Sequence, residues 1–277
     1  MKLDVSALTD PGIKRASNED YVWSQVFSDS RGARLALLIV CDGMGGHLGG
    51  ECASYWAVET IKRELASLFC PADPRATVHL SPAEADTVRI ADKTTTRMTD
   101  NDLERLVFKA IQSANRVVYQ YAQQKPQMAA DAGTTLTMAV IWGEKTLIAN
   151  VGDSRTYLLR ARDLRQVTED HSLVARMVAQ GEIEPQEIFV HPKRSMIYRS
   201  LGQKTSVKVD LFWETLEADD YLLLCSDGLW EMVRDPAAIV EIVEDAPSLD
   251  DACRQLVAAA NLAGGDDNIS VVLASIT

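Results

Sequence analysis

Short apolar runs set between turn-forming residues make up most of the chain, and two longer stretches follow a different rhythm. Residues 2–8 alternate weakly and predict an edge strand. Residues 20–28 and 34–41 are apolar on either side of a DSRG turn, which predicts a hairpin. Over 50–69, Ala53, Trp56, Ala57, Ile61, Leu65 and Leu68 fall at helical spacing; over 102–124, Leu103, Val107, Ala110, Ile111, Ala114 and Val118 do the same. Each stretch predicts an amphipathic helix covering one face of a sheet. Between them, 71–100 is polar, rich in Pro, Asp and Thr and without a period, and is expected to be a surface insertion.

The second half is richer in strands. Residues 134–142, 145–150, 154–160 and 164–168 are apolar runs separated at hairpin distances by WGEK, VGDS and RARD. A short helix is predicted over 171–180, ending at Gly181, and 182–205 is irregular between Pro185 and Pro192. Strands at 206–213 and 220–226, helices at 229–243 and 248–263, and a last strand at 268–275 complete the pattern. Strands come in meandering groups and helices in pairs, with no internal repeat. That is not the alternation of a parallel sheet; it predicts an α+β fold of two antiparallel sheets with helices packed outside them.

Composition narrows the classes. The chain has 277 residues, 47% hydrophobic and 25% charged, as expected of one globular domain spanning 1–277. No apolar run approaches the roughly 20 residues of a membrane span, and Asp4 interrupts the start early, unlike a signal peptide. A cytoplasmic protein with no membrane partner is expected. The net charge of −12 argues against a nucleic-acid partner. The five cysteines, unpaired in spacing, are expected to be reduced thiols. None is followed six positions later by the arginine that a cysteine-phosphatase loop needs. The four histidines are dispersed, with no zinc-binding spacing.

The chemistry lies where acids leave strands. LLIVC runs into Asp42 and Gly43, and YLLLCS into Asp227. Asp266 and Asp267 in GGDDN precede the last strand, and Glu19 and Asp20 in RASNED precede the second. Each Asp-Gly pair alone reads more readily as a turn. Together, acids at strand ends on one rim of a sandwich can converge, and converging carboxylates stay ionised only around cations. An oxygen-only donor set selects hard ions such as Mg2+ or Mn2+. Gly43, lacking a side chain, would let its carbonyl reach such an ion.

The motifs RASNED (15–20), VCDGMGGH (40–47), AGTTLTMAV (132–140), ANVGDSRTYLL (149–159), TEDHSLV (168–174), HPKRSMIYRSLG (191–202), LLLCSDGLWEMV (222–233) and GGDDNISVV (264–272) occur in this order. In this the chain resembles the metal-dependent, type 2C serine/threonine protein phosphatases in their bacterial form. The resemblance implies a four-layer α-β-β-α sandwich and hydrolysis of phosphoserine and phosphothreonine in proteins, opposing a bacterial serine/threonine kinase. It implies that Asp42 bridges two Mn2+ or Mg2+ ions, that Glu19 and the Gly43 carbonyl serve one and Asp227 and Asp267 the other, and that water activated between them attacks phosphorus. Arg15 matches the phosphate-binding arginine, which can grip two phosphate oxygens at once. Asp20 and Asn268 would support the ligands from behind, and Asp266 is the alternative to Asp267 should the register shift by one. Ser226 is implied to be structural rather than a nucleophile. A third, weaker ion is common in bacterial members; Asp131 and Glu231 stand at suitable places, Glu231 where aspartate is usual. Met44 stands where some members carry a histidine proposed as general acid, and His47 follows three positions later. The 171–205 segment resembles the family's flap and offers Arg194 and Arg199 for steering phosphopeptides. Other substrates in view are anti-sigma-factor antagonists and small phosphate esters, and an inactive binding module of the same fold is the non-enzymatic alternative. A monomer is expected.

Overall fold

A computed structural model describes residues 2–28, 34–46, 48–69, 99–125 and 131–277. The strands are β1 (Leu3–Asp10), β2 (Tyr21–Ser28), β3 (Arg34–Cys41), β4 (Gly43–Met44), β5 (Gly133–Thr134), β6 (Leu136–Trp142), β7 (Lys145–Val151), β8 (Arg155–Arg160), β9 (Asp163–Gln166), β10 (Asp210–Thr215), β11 (Tyr221–Cys225) and β12 (Ile269–Ile276). The α-helices are α1 (Leu48–Phe69), α2 (Asp100–Gln124), α3 (Leu173–Ala179), α4 (Asp227–Trp230), α5 (Pro236–Asp245) and α6 (Leu249–Leu262), with a 3-10 turn at Pro185–Val190. Most of the expected 71–100 insertion, together with His47, lies outside the described residues.

Two five-stranded antiparallel sheets, ordered β1-β12-β11-β8-β9 and β10-β7-β6-β3-β2, form the middle of the molecule. Strand alternation sorts the core into three layers. In β3, Leu37, Ile39 and Cys41 pack toward α1 and α2, while Ala36, Leu38 and Val40 meet the second sheet. In β12, Val272 and Ala274 face the same inter-sheet layer, and Val271 and Leu273 pack under α5 and α6. Both faces of these strands are buried, which is why they read as unbroken apolar runs. The result is the α-β-β-α sandwich.

Boundaries moved where a local bond outcompetes periodicity. Helix α2 starts at Asp100 because Thr99 caps it in a reciprocal box with Asp102. The single helix expected over 229–243 is two. Asp235 accepts from the Ala237 N–H as a new cap and Pro236 opens α5, since proline has no N–H to continue a helix. The strand expected from 206 pairs only from Asp210, opposite Asn150, because the Gln112 side chain takes the Val207 carbonyl at 2.6 Å. Thr135 separates β5 from β6 by donating its backbone N–H to the Asp42 carbonyl at 2.9 Å.

The register decides where strand ends meet. Tyr21 lies opposite Cys41, so Glu19 and Asp20 enter beside the Asp42 exit. Cys225 lies opposite Val271, which brings Asp227 to the Asp267 side. Asp10 lies opposite Ile269, so the 11–20 loop leaves from the same rim. Arg155 lies opposite Cys225 and carries Asp153 there as well.

Candidate active site

That rim encloses a cleft of about 420 Å³ lined by Glu19, Asp42, Asp153, Asp227 and Asp267, with Arg15 as its one cationic side chain among the described residues. Gly43, Met44, Gly45, Gly46 and Asn268 complete much of the wall. Asp42 follows directly on β3, and its backbone N–H donates to Thr135 Oγ1 at 3.0 Å. Thr135 Oγ1 is in turn 2.6 Å from Ser154 Oγ, so the Asp42 loop and the Asp153 loop share one hydroxyl pair. Glycines set the fit on the other side. A Cβ on Gly43 would lie 2.3 Å from the Glu19 carbonyl, and one on Gly50 would lie 2.0 Å from Glu19 Oε2. The Glu19 carboxylate therefore rests on the first turn of α1, where the helix dipole favours an anion.

The acids are too close and too dry to ionise freely together. Burial raises the Asp42 carboxyl well above the usual range, and the charges of Asp20, Asp227, Asp153 and Asp267 raise it further. Asp227 is raised in the same way, by burial and then by Asp153, Asp267, Glu231 and Asp20. Burial pushes Asp153 up to about 7, with Asp170 adding to it. Asp20, buried behind Asp42, is pushed up to about 7, again chiefly by burial, with Ser270 and Ser226 countering. Both Asp20 oxygens and Asp227 Oδ1 are buried without a hydrogen-bond partner of normal geometry. Among the described residues no three side chains stand as a closed metal-ligand cluster. The cleft nevertheless has what a divalent ion requires: an oxygen-only donor set, excess negative charge, buried oxygens without partners and glycines that leave room for close approach.

The remaining sequence candidates fall into distinct places. Arg15 is half exposed at the cleft mouth, and its Nη2 donates to Asp267 Oδ2 at 2.6 Å. Asn268, just before β12, binds three backbone groups of the 11–20 loop, at Pro11, Ser17 and Glu19. Asp267 lines the cleft, whereas Asp266 is turned outward to Lys14 Nζ at 2.6 Å. Asp131 sits exposed in a turn, its carbonyl taken by Gln203 Nε2 at 3.2 Å. Glu231 faces a side pocket with Arg194 Nε at 3.5 Å. Ser226 is fully buried, donates to the Asn268 carbonyl and accepts the Ser270 N–H, so its hydroxyl is structural. Arg199 is mostly buried and bonded to Asp210 Oδ1 at 2.8 Å. Cys41, Cys52, Cys225 and Cys253 are free thiols, and burial pushes the Cys225 thiol up to about 12, away from nucleophilic use.

Asp153 is the cleft residue that motif reading missed, because VGDS reads as a hairpin turn. Its signal resembles that of Asp42, an acid at the end of a buried strand, except that Gly152 stands between Val151 and Asp153. A buried histidine holds this turn. His171 Nδ1 accepts the Gly152 N–H at 2.9 Å, and its Nε2 lies 3.0 Å from Asp210 Oδ2 and 2.7 Å from Arg199 Nη1.

The family model described as protein phosphatase 2C matches residues 14–263. The serine/threonine phosphatase stp of Listeria innocua is 36% identical over 265 residues, covering 96% of this chain and 92% of that one. The S. agalactiae serine/threonine phosphatase superposes with a TM-score of 0.81 at 30% identity, with all of both chains covered. The catalytic domain of the serine/threonine protein phosphatase PstP, solved with two manganese ions, gives 0.76 at 30% identity, with 99% of each chain covered. With its acids gathered at one rim of a two-sheet sandwich and its likeness running nearly end to end, the chain belongs to the protein phosphatase 2C family and is a serine/threonine protein phosphatase.

Proposed function

We propose that the enzyme removes phosphate from phosphoserine and phosphothreonine in proteins at two Mn2+ or Mg2+ ions, reversing the work of a serine/threonine kinase. The observation that carries this is the cleft itself, in which five carboxylates face one guanidinium. Glu19 and the Gly43 carbonyl would hold one ion, Asp227 and Asp267 the other, and Asp42 would join them. When bound, the ions would supply an activated water and neutralise charge on the phosphoryl group. The two manganese ions in the PstP structure support a centre of two divalent ions. Arg15, at the mouth, is placed to turn its fork from Asp267 toward phosphate oxygens. Asn268 and the Thr135–Ser154 hydroxyl pair hold the acidic loops in place while the charge moves. For a third ion, Asp153 is the further acid on the cleft wall, while Glu231 is tied to Arg194.

The test is turnover of phosphothreonine peptides with Mn2+, Mg2+ or chelator, comparing wild type with Asp42→Asn and Asp227→Asn. Metal-dependent turnover reduced to background by either change is expected. Turnover that survives chelation, or that appears only with small phosphate esters, would overturn the proposal.

A further inference from the structure

A second groove, of about 410 Å³, opens beside the cleft. Met44 and Ile197 line both spaces, so the groove starts where the cleft ends. Its walls carry Arg199, Lys204 and Lys208 and, among the described residues, no acidic side chain. That is unusual in a chain with 40 acids against 28 bases. Arg199 is already committed to Asp210. Lys204 is exposed and has no ion partner among the described residues. Lys208, 77% exposed, reaches only Asp210 Oδ1 at 3.6 Å, an oxygen that Arg199 holds at 2.8 Å. Both ammonium groups are thus free to meet an incoming anion. Half-exposed Tyr198 adds an apolar face beside them.

The backbone that presents these groups is fixed in advance. Asn115, fully buried on α2, donates from Nδ2 to the Lys204 carbonyl at 2.9 Å and accepts the Gly202 N–H at 2.9 Å. Gln112 holds the Val207 carbonyl at 2.6 Å. The Tyr198 N–H donates to the His171 carbonyl at 2.9 Å. A surface tied down in this way loses little freedom when a flexible peptide binds to it. A phosphorylated residue seated in the cleft must lead its neighbours out over the rim, and this groove is a continuous exit with cationic walls.

Resting on the phosphatase reading above, the geometry points to this groove as the seat of the peptide flanking the phosphorylated residue, with Lys204 and Lys208 selecting acidic residues there. The selection acts on binding and leaves the chemical step alone. Exposed charge pairs are individually weak, so two lysines give a roughly three- to tenfold lower KM for an acidic flank than for a neutral one.

The experiment uses phosphothreonine peptides of one length with glutamates before the phosphothreonine, after it, or replaced by glutamine. They are assayed with Mn2+ on wild type and on Lys204→Ala/Lys208→Ala, beside p-nitrophenyl phosphate. The expected result is a lower KM for one glutamate arm with kcat unchanged. That advantage is lost in the double variant and shrinks at high salt, while p-nitrophenyl phosphate turnover is the same in both proteins. Equal KM values for acidic and neutral arms, or a preference that persists in the double variant, would overturn the groove assignment and leave the phosphatase reading standing. Failure to hydrolyse any phosphopeptide with Mn2+ present would overturn both.

Discussion

The side-chain carbonyl of Asn268 accepts the backbone N–H of Glu19 at 2.8 Å, across 249 residues of chain. The same amide donates to the Pro11 and Ser17 carbonyls, each at 2.9 Å, and the Asn268 N–H donates to Asp267 Oδ1 at 2.8 Å. One residue thus fixes the loop carrying Arg15 and Glu19 against the acid on the far side of the cleft.

Asn268→Ala should therefore act through metal affinity. It removes three side-chain bonds and frees the Glu19 loop, while every proposed ligand remains. Loss of a residue that orients ligands typically weakens metal binding by about 10–100-fold. The Mn2+ concentration for half-maximal activity is expected to rise by about that factor, with activity largely recovered at saturating Mn2+. An unchanged Mn2+ requirement would show that Asn268 does not position the acids.

Gly50→Ala sets helix propensity against the site. Alanine within α1 favours the helix by about 1 kcal/mol over glycine, yet its Cβ would lie 2.0 Å from Glu19 Oε2. The carboxylate must move. Unfolding by urea is expected to show a stable protein, with turnover at moderate Mn2+ lowered at least about tenfold. Adding Glu19→Asp, one methylene shorter, should restore part of the loss. Normal turnover in Gly50→Ala would mean that the Glu19 carboxylate has no fixed task.

The layers of this fold were legible because burial on both faces leaves an unmistakable trace. The stretches around Leu37–Cys41 and Leu222–Cys225 have no polar phase, as strands covered on both faces require. Asp42, Asp227 and Asp267 were legible as acids at strand ends, which a shared rim can gather. Asp153 was not, since a Gly-Asp after a strand is locally indistinguishable from a turn. Its place follows from the pairing of Arg155 with Cys225, which is long-range information. The burial of Arg199 was hidden for a related reason. A flap arginine reads as exposed, and only the approach of β10 shows that Asp210 claims it. The break before α5 was written in Asp235–Pro236 but was hidden by apolar spacing that runs through it.

Arg155→Lys is expected to be among the most damaging conservative changes outside the proposed ligands. The guanidinium binds Asp170 through Nε at 3.0 Å and Nη2 at 2.7 Å, and donates to Tyr157 Oη at 3.0 Å. It also stacks 3.5 Å above the Trp230 ring. Both charged partners are largely buried. Lysine cannot form the fork or the stack, and breaking a buried pair costs about 3–5 kcal/mol. Trp230 in turn donates to the Asp153 carbonyl at 3.1 Å, so activity should fall as well. Urea unfolding of Arg155→Lys, Asp170→Asn and the double variant would measure the coupling. Additive effects would mean that the pair contributes nothing beyond its separate parts.

Asp153 should make the metal-free protein less stable as the pH rises. Its carboxyl titrates near 3.8 when the chain is unfolded and is pushed up to about 7 by burial when folded. Between those values the folded state holds a proton that the unfolded state has released. The stability this provides is complete below about pH 4 and is lost by about pH 7. His171 works in the opposite sense, because burial lowers its pKa and acid then favours unfolding, but it is common to wild type and Asp153→Asn and cancels in their difference. In chelator, Asp153→Asn is therefore expected to gain on wild type across this range, by an amount on the order of a few kcal/mol, including the relief of Asp42 and Asp227, whose carboxyls the Asp153 charge also raises. Saturating Mn2+ should shrink the gap, since a cation at the cleft offsets the charge that burial disfavours. Melting curves of both proteins across the range, with and without Mn2+, decide the matter. A gap in chelator that ignores pH would show that Asp153 is ionised in the folded protein throughout, and that its desolvation is compensated within the fold.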